Sequence, residues 1–336
     1  MLQAVSRKES ARRLWLPVVL LLLCAVALAA SLKIGSVVIG WSEFFAALMG
    51  KGSPMATAVV LDLRLPRALS ALVVGGGLAL AGALMQVLLR NPLADPYVLG
   101  TSGGAAVMVL LVLILGMPYS VVPVAAGAGA LLSMGLLLLL VRGPGDWSSS
   151  RLLLTGIVLA SGWGALISFL LSISEARQIQ GMLFWLMGDL QPQAPGWWRS
   201  GVVFLALLLS FIFSRDLNLL AQGDLRARSL GLPTKGLRLA VLLAASVLTA
   251  AAVTLAGPIG FIGLVVPHMM RLLVGSDHRI LIPCSVLAGG ALLVFAELLA
   301  RVLFAPQQLP AGVITAFVGI PIFLLLLQRS VRQSHS

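Results

Sequence analysis

Few residues in this sequence could do chemistry, and they stand far apart from one another. Glu297 and Arg301 lie four residues apart in one apolar run, a spacing that predicts an ion pair on one helix face rather than a proton relay. Cys24 and Cys284 each lie in an apolar run and predict neither a disulfide framework nor a cysteine metal site. The patterns H-E-x-x-H and C-x-x-C do not occur. We therefore expect no catalytic centre and no metal site in this chain.

A phosphate-binding loop for ATP is absent from the sequence as well. The pattern G-x-x-x-x-G-K-[S/T] has no match, because Gly50-Lys51 lacks both the upstream glycine and the following serine or threonine. We expect this chain not to hydrolyse ATP by itself. The scarcity of carboxylates inside apolar runs also argues against a proton-driven or sodium-driven carrier.

Composition shows that membrane helices must position these residues. The chain has 336 residues, 60% hydrophobic and 10% charged, and its mean hydropathy is +1.06, whereas roughly a quarter of the residues in soluble domains are charged. The net charge of +12 is scattered between apolar stretches, which argues against nucleic-acid binding. We predict an all-α polytopic membrane protein that forms a single transmembrane domain over residues 1–336.

Apolar runs of the length needed to cross a bilayer, about 20 residues, predict ten spans. They cover 14–32, 68–89, 98–115, 119–141, 152–173, 200–214, 238–256, 259–274, 280–303 and 311–328. With the N-terminus in the cytoplasm, 16 of the 23 basic residues fall in inner segments, so the positive-inside rule places both termini there. The first span also resembles a cleaved signal sequence, but its 19 residues favour an uncleaved anchor.

One long polar segment, 215–238, interrupts these apolar runs and carries five of the basic residues. Asp224 is predicted to cap a short helix, with Arg228 four residues on as a supporting ion pair. Gly231 in the left-handed conformation and Pro233 would end it. A solvated connecting loop is the alternative, although loops beyond about 12–15 residues are usually functional.

Four blocks of the sequence carry a resemblance to a known family. They are the stretch at 63–106 that begins LRLPRALSALVVGGG, the segment 215–238, GPIGFIGLVVPHMMRLLVGSDHR at 257–279 and LPAGVITAFVGIPIF at 309–323. Together they resemble the FecCD-type permease subunits of bacterial ABC importers for iron complexes and cobalamin. The resemblance is collinear from about residue 60 onward, and before that only an anchor helix and an external segment match.

The resemblance implies an assembly and a set of coupling residues. Such permeases have ten transmembrane helices and form a homodimer in the bacterial inner membrane, with two cytoplasmic ATPase subunits and one periplasmic binding protein. No cofactor is then expected in this chain, because ATP and Mg²⁺ belong to the ATPase. The coupling helix that docks on the ATPase would contain Asp224, Leu225, Arg226, Arg228, Leu230 and Gly231.

The same resemblance implies contacts at both faces of the membrane. Arg64, Arg67 and Arg301 match residues that meet the binding protein, although arginines at helix ends can also simply reach water by snorkelling. The blocks RNPLADP at 90–96 and SSSR at 148–151 match the cytoplasmic gate. The gate candidates are Asn91, Leu93, Ser149 and Ser150, with simple turn formation by the Asn-Pro and Asp-Pro pairs as the alternative.

Histidine and tryptophan residues are given structural roles. His268 lies in a block shared by the family whatever the substrate, and near the cytoplasmic end of its span, so we do not expect it to bind haem iron. A short surface helix is expected near 179–189. Trp185, Trp197 and Trp198 are predicted to anchor the chain at the membrane surface rather than to stack on substrate.

The function expected from these observations is ATP-driven import of a large metal-containing nutrient by alternating access. The spans hold few charges that could grip a small ion, which fits a bulky cargo. We expect an iron complex, haem slightly ahead of a ferric siderophore, with cobalamin as the alternative. An ion-coupled secondary transporter is the remote alternative.

Overall fold

The computed structural model describes residues 2–141, 149–191 and 194–334. Over these residues the chain is helical and contains no β-strand. The α-helices are α1 (Leu2–Lys33), α2 (Trp41–Leu48), α3 (Pro54–Thr57), α4 (Leu65–Leu89), α5 (Thr101–Ile114), α6 (Val122–Val141), α7 (Ser149–Ile173), α8 (Ala176–Leu186), α9 (Trp197–Ile212), α10 (Ser214–Ala221), α11 (Asp224–Ser229), α12 (Thr234–Ala256), α13 (Ile262–Val274), α14 (His278–Val302) and α15 (Ala311–Ser334). A π-helix joins α3 to α4 (Ala58–Arg64), and two 3₁₀ turns precede α5 and α6 (Pro96–Leu99 and Tyr119–Val121).

Each of the ten predicted spans coincides with one of these helices, so the all-α membrane fold is confirmed. Within the described ranges, seven helices are long and apolar enough to cross a membrane. The helices α5 and α13 are shorter, and α9 meets α10 at a bend of 69°. The count of ten crossings therefore stays a prediction, in which these three would be broken or partial spans.

Helix α4 forms the centre of the bundle, because small side chains let its neighbours approach closely. Every residue from Val74 to Leu89 is buried. A Cβ added at Gly75 would collide with the carbonyl oxygen of Gly289 on α14, and one at Gly82 would collide with that of Gly263 on α13. Small residues at these positions therefore let α13 and α14 approach α4 closely.

Two segments that are not α-helical meet inside the bundle, and they explain why α5 and α13 are short. After α4 the chain re-enters the bundle through the 3₁₀ turn, where the hydroxyl of Tyr97 accepts a hydrogen bond from the Ile259 N–H at 3.1 Å. The Pro96 ring lies against Gly263, the second residue of α13. Irregular backbone at this depth is tolerated because it is buried in protein and not in lipid.

The bundle has two ends with different polar contacts. We call the end where α4 finishes and α12 begins the inner end, which the charge distribution predicts to be cytoplasmic. Helix α10 is fixed there to the start of α14, since Asn218 Nδ2 donates to Asp277 Oδ1 at 2.9 Å and the His278 N–H donates to Asn218 Oδ1 at 3.0 Å. Burial raises the pKa of Asp277, but hydrogen bonds from Asn218 and the Arg279 N–H, together with the charges of Arg279 and His278, outweigh burial and lower this pKa.

Candidate functional site

The predicted helix in the polar segment exists as α11, but Asp224 does not cap it. Gly223 occupies the N-cap position with φ of +107°, and no side chain caps the helix. Asp224 is the first helical residue, and its carboxylate is bound by arginines instead of the free backbone N–H groups. The capping prediction was wrong because a glycine with positive φ makes the turn. The negative charge of Asp224 in the first turn still stabilises α11, because it lies at the positive end of the helix dipole.

The end of α11 follows the prediction. Gly231 has φ of +80°, its N–H donates to the Arg228 carbonyl at 2.9 Å, and the Leu232 N–H donates to the Ala227 carbonyl at 3.0 Å. These two bonds form a Schellman motif, which satisfies carbonyls that the helix end would otherwise leave free. Arg228 Nε also donates to the Thr234 hydroxyl at 3.1 Å, which ties α11 to the first turn of α12.

An exposed mixed surface results from this arrangement. Leu225 is 88% exposed and Leu230 is 61% exposed, and Arg226 and Arg228 are exposed as well. Only Ala227 of this helix is buried. Two exposed leucines beside basic residues on a helix outside the apolar spans are typical of a surface that another protein covers.

Beneath α11, a polar cluster joins four helices at the inner end. Arg238 on α12 is 6% exposed; its Nη1 donates to Asp224 Oδ2 at 2.9 Å and its Nη2 donates to the Ser149 hydroxyl at 2.8 Å. Both Arg238 Nη2 and the Ser149 hydroxyl reach the Leu88 carbonyl near the end of α4, at 3.5 and 3.2 Å. Arg90 makes a longer ion pair with Asp224 at 3.8 Å. We call these five residues the inner cluster.

The gate candidates lie around the inner cluster. Asn91 Oδ1 accepts a hydrogen bond from the Leu93 N–H at 2.9 Å, so these two residues form the turn that was the alternative reading. Ser149 is the first residue of α7 and belongs to the cluster, while Ser150 is exposed. Residue 148 of the SSSR block lies outside the described residues. The turn and the gate are compatible, and the gating role stays a prediction.

The three outer arginines lie at the opposite end of the bundle, around one cavity of about 150 Å³. Arg64 is only 3% exposed and donates to the Leu32 and Lys33 carbonyls at 2.8 and 2.9 Å. Arg301 is 6% exposed and donates to the Ser31 carbonyl at 2.7 Å. Both guanidinium groups therefore hold the end of α1 in place instead of reaching water. Sequence reasoning missed this role, because the partners are backbone carbonyls distant in the chain.

The predicted ion pair between Glu297 and Arg301 is confirmed, with Glu297 Oε2 and Arg301 Nη2 3.5 Å apart. Arg67 is the half-buried member of the outer arginines, and its Nη1 donates to Gln308 Oε1 at 2.7 Å. Burial raises the pKa of nearby Asp189, and the positive charge of Arg67 acts against that rise. Docking of a binding protein on these arginines stays a prediction, for which Arg67 is the most accessible candidate.

The remaining predicted residues occupy separate places. His268 is buried at the middle of α13, not near its end as expected. In the part of the chain that the structure describes, no group of three histidine, cysteine or acidic residues could hold a metal ion.

The surface helix expected near 179–189 is α8, Ala176–Leu186. Trp197 and Trp198 are exposed at the start of α9, whereas Trp185 is half-buried; anchoring stays a prediction.

A bundle of apolar helices with an exposed basic helix at one end is the architecture of a multi-pass membrane protein, and comparison with known proteins assigns its family. The model of the FecCD transport family matches residues 21–329, so the chain belongs to that family. It is 42% identical over 275 residues to the Fe(3+) dicitrate transport system permease FecD of Escherichia coli, covering 81% of this chain and 85% of that protein.

Other relatives have different named cargoes. Over 287 residues, the chain is 42% identical to the hemin transport permease HmuU of Yersinia pestis (81% and 84% of the two chains). It is 39% identical over 287 residues to the vitamin B12 import permease BtuC of Escherichia coli (83% and 86%). A solved inward-facing metal-chelate type ABC transporter aligns with a TM-score of 0.82 and 30% identity, covering 93% of this chain and 98% of that one. The protein is thus an ABC importer permease of a family that handles iron complexes, haem or vitamin B12.

Proposed function

We propose that this chain is the transport subunit of an ATP-driven importer in the bacterial inner membrane, with an iron complex as cargo and haem ahead of ferric siderophores. Two copies of the chain would form the pathway, two ATPase subunits would bind at the inner end, and a periplasmic binding protein would dock at the outer end. Cobalamin is the alternative cargo, because BtuC is almost as similar to this chain as HmuU.

The observation that carries the proposal is the exposed face of α11, where Leu225 and Leu230 stand beside two arginines on a helix braced from below by Arg238. An ATPase that closes on ATP can move the permease only if each nucleotide state binds the inward and outward forms unequally. A rigid helix that projects from the bundle provides the contact through which that difference acts.

The test is ATP-dependent uptake in proteoliposomes that contain this permease, its copurified ATPase and its binding protein, with haem, a ferric siderophore and cobalamin offered in parallel. We expect uptake of one cargo, haem first, together with ATP hydrolysis stimulated by the binding protein. Arg226→Glu should abolish both, because it reverses the charge on the exposed face without removing a side-chain bond recorded in the structure. The matched control is Arg215→Glu, an exposed arginine at the same end on α10.

The outcomes separate the parts of the proposal. Uptake of cobalamin alone would show that the proposed cargo is wrong and that the proposed ATP-driven mechanism is right. Uptake driven by a proton or sodium gradient, with no associated ATPase, would overturn the importer assignment. Equal loss of activity in Arg226→Glu and Arg215→Glu would show that net charge at the inner end matters, and not the face of α11.

A further inference from the structure

The inner cluster places a single buried guanidinium group between the coupling helix and the gate. One nitrogen of Arg238 binds the Asp224 carboxylate on α11, and the other binds the Ser149 hydroxyl at the start of α7 and lies near the Leu88 carbonyl on α4. Asp224 and Ser149 are 75 residues apart in the sequence, and no direct bond between their side chains is needed. Arg238 provides the connection from α11 to α7.

Arginine suits this place for a geometric reason. Its planar guanidinium presents donors on two sides, so it can bind a carboxylate and a hydroxyl at the same time, whereas lysine concentrates its charge at one point. Arg238 is 6% exposed, and it forms an ion pair with Asp224 at 2.9 Å. Breaking a buried pair by removing one partner is strongly unfavourable. If α11 moves, Arg238 is therefore pulled with it and not left behind.

The cluster also has capacity for a second arrangement. Oδ2 of Asp224 makes the recorded contacts with Arg238 and Arg90, while Oδ1 is buried with no hydrogen-bond partner. A shift of α11 can bring Oδ1 towards the guanidinium without breaking the pair. The contact with Arg90 is weak by comparison, since that side chain is 41% exposed and 3.8 Å away.

We propose that Arg238 is the positioning residue that transmits displacement of the coupling helix α11 to Ser149 and the first turn of α7, and so to the inner gate. This inference rests on the proposed function, because it assumes that an ATPase displaces α11. A static brace is the competing role for the same contacts. The two differ in what happens when the guanidinium is replaced by a group that keeps the charge but cannot bridge.

Arg238→Lys makes that replacement, since its single ammonium nitrogen keeps the charge beside Asp224 but cannot occupy the positions of both Nη1 and Nη2, which bind Asp224 and Ser149. Loss of one hydrogen bond to a charged group changes an equilibrium by roughly tenfold or more. In the reconstituted transporter we expect uptake per ATP hydrolysed to fall about tenfold, by the same reasoning. Ser149→Ala removes the other partner and should give the same loss, and the double variant should be no worse than either single variant.

A second measurement uses the permease without its ATPase. The reactivity of Leu152→Cys towards a water-soluble maleimide reports release of the first turn of α7, because Leu152 is only 3% exposed and the native cysteines are buried as well. We expect Arg238→Lys to raise the labelling rate of this cysteine about tenfold. The labelling rate of Ser276→Cys, an exposed site at the same end on the α13–α14 connection, should not change.

The outcomes distinguish the inference from the proposed function. If the wild-type protein shows no ATP-driven uptake, the proposed function fails, whatever the labelling shows. If the wild-type protein transports and Arg238→Lys changes neither uptake per ATP nor the labelling of Leu152→Cys, the transmission role is wrong. A parallel fall of uptake and ATP hydrolysis with an unchanged ratio would identify Arg238 as a static brace and also overturn the inference.

Discussion

Leu225→Ala is the sharpest test of α11 as a docking helix. Leu225 is 88% exposed in the isolated chain, so it contributes almost nothing to the permease core. A large apolar side chain that is exposed to water on a helix outside the membrane contributes favourable free energy only when a partner protein covers it. The substitution removes apolar surface without adding charge and without disturbing the Schellman motif at the end of the helix.

The expected magnitude follows from that exposure. Leucine to alanine removes three carbon atoms, and each buried CH₂ is worth about 0.8 kcal/mol. With most of the side chain newly covered in the complex, the loss is about 2 kcal/mol of binding free energy, by the same scale. At 1.4 kcal/mol per factor of ten, the Kd for the ATPase should rise about 30-fold.

The assay is titration of the copurifying ATPase subunit against the permease in lipid nanodiscs, with thermal unfolding of the permease measured in parallel. Leu205→Ala on α9 is the matched control, because Leu205 is 54% exposed but lies within an apolar span. We expect Leu225→Ala to weaken binding with an unchanged Tm, and Leu205→Ala to change neither. An unchanged Kd for Leu225→Ala would refute α11 as the docking surface, and a lowered Tm would show that Leu225 supports the permease fold itself.

Two further predictions concern the bundle. Gly82→Val should prevent stable folding, because its side chain would collide with the Gly263 carbonyl. Gly135→Val is the control and should fold, because no atom lies near the added group. Size-exclusion profiles of the two variants in detergent test this prediction. Glu297→Ala should lower the Tm, because it leaves the buried Arg301 guanidinium without its carboxylate, at a cost of about 3–5 kcal/mol. The control Glu175→Ala, at an exposed helix start, should leave the Tm unchanged. If Glu297→Ala and Glu175→Ala have the same Tm, the buried pair does not stabilise the fold.

Local signals in the sequence predicted much of this fold. The apolar runs set the positions of the helices, since a bilayer demands about 20 apolar residues whatever the tertiary packing. The end of α11 was also predictable, because a glycine followed two residues later by proline specifies a left-handed turn through backbone sterics alone.

Contacts between distant residues could not be predicted in this way. Asp224 was expected to bind its own helix, but its carboxylate pairs with Arg238 and Arg90, and a buried arginine competes better for a carboxylate than backbone N–H groups do. The short lengths of α5 and α13 could not be predicted either, because the irregular segments around Tyr97 and Ile259 bond to each other only in the folded bundle. No pattern of residues within either segment predicts that the two segments pair with each other.

The two ends of the bundle use buried arginines differently, and the difference bears on where the protein can move. Arg64 and Arg301 donate to main-chain carbonyls around the end of α1, which do not change position unless the backbone itself is displaced. Arg238 binds the side chains of Asp224 and Ser149, which rotate about single bonds and belong to separate helices. The main-chain contacts of Arg64 and Arg301 fix the end of α1, while the side-chain contacts of Arg238 can exchange partners at the inner end. A displacement imposed at α11 should therefore be absorbed near the inner cluster before it reaches the outer arginines.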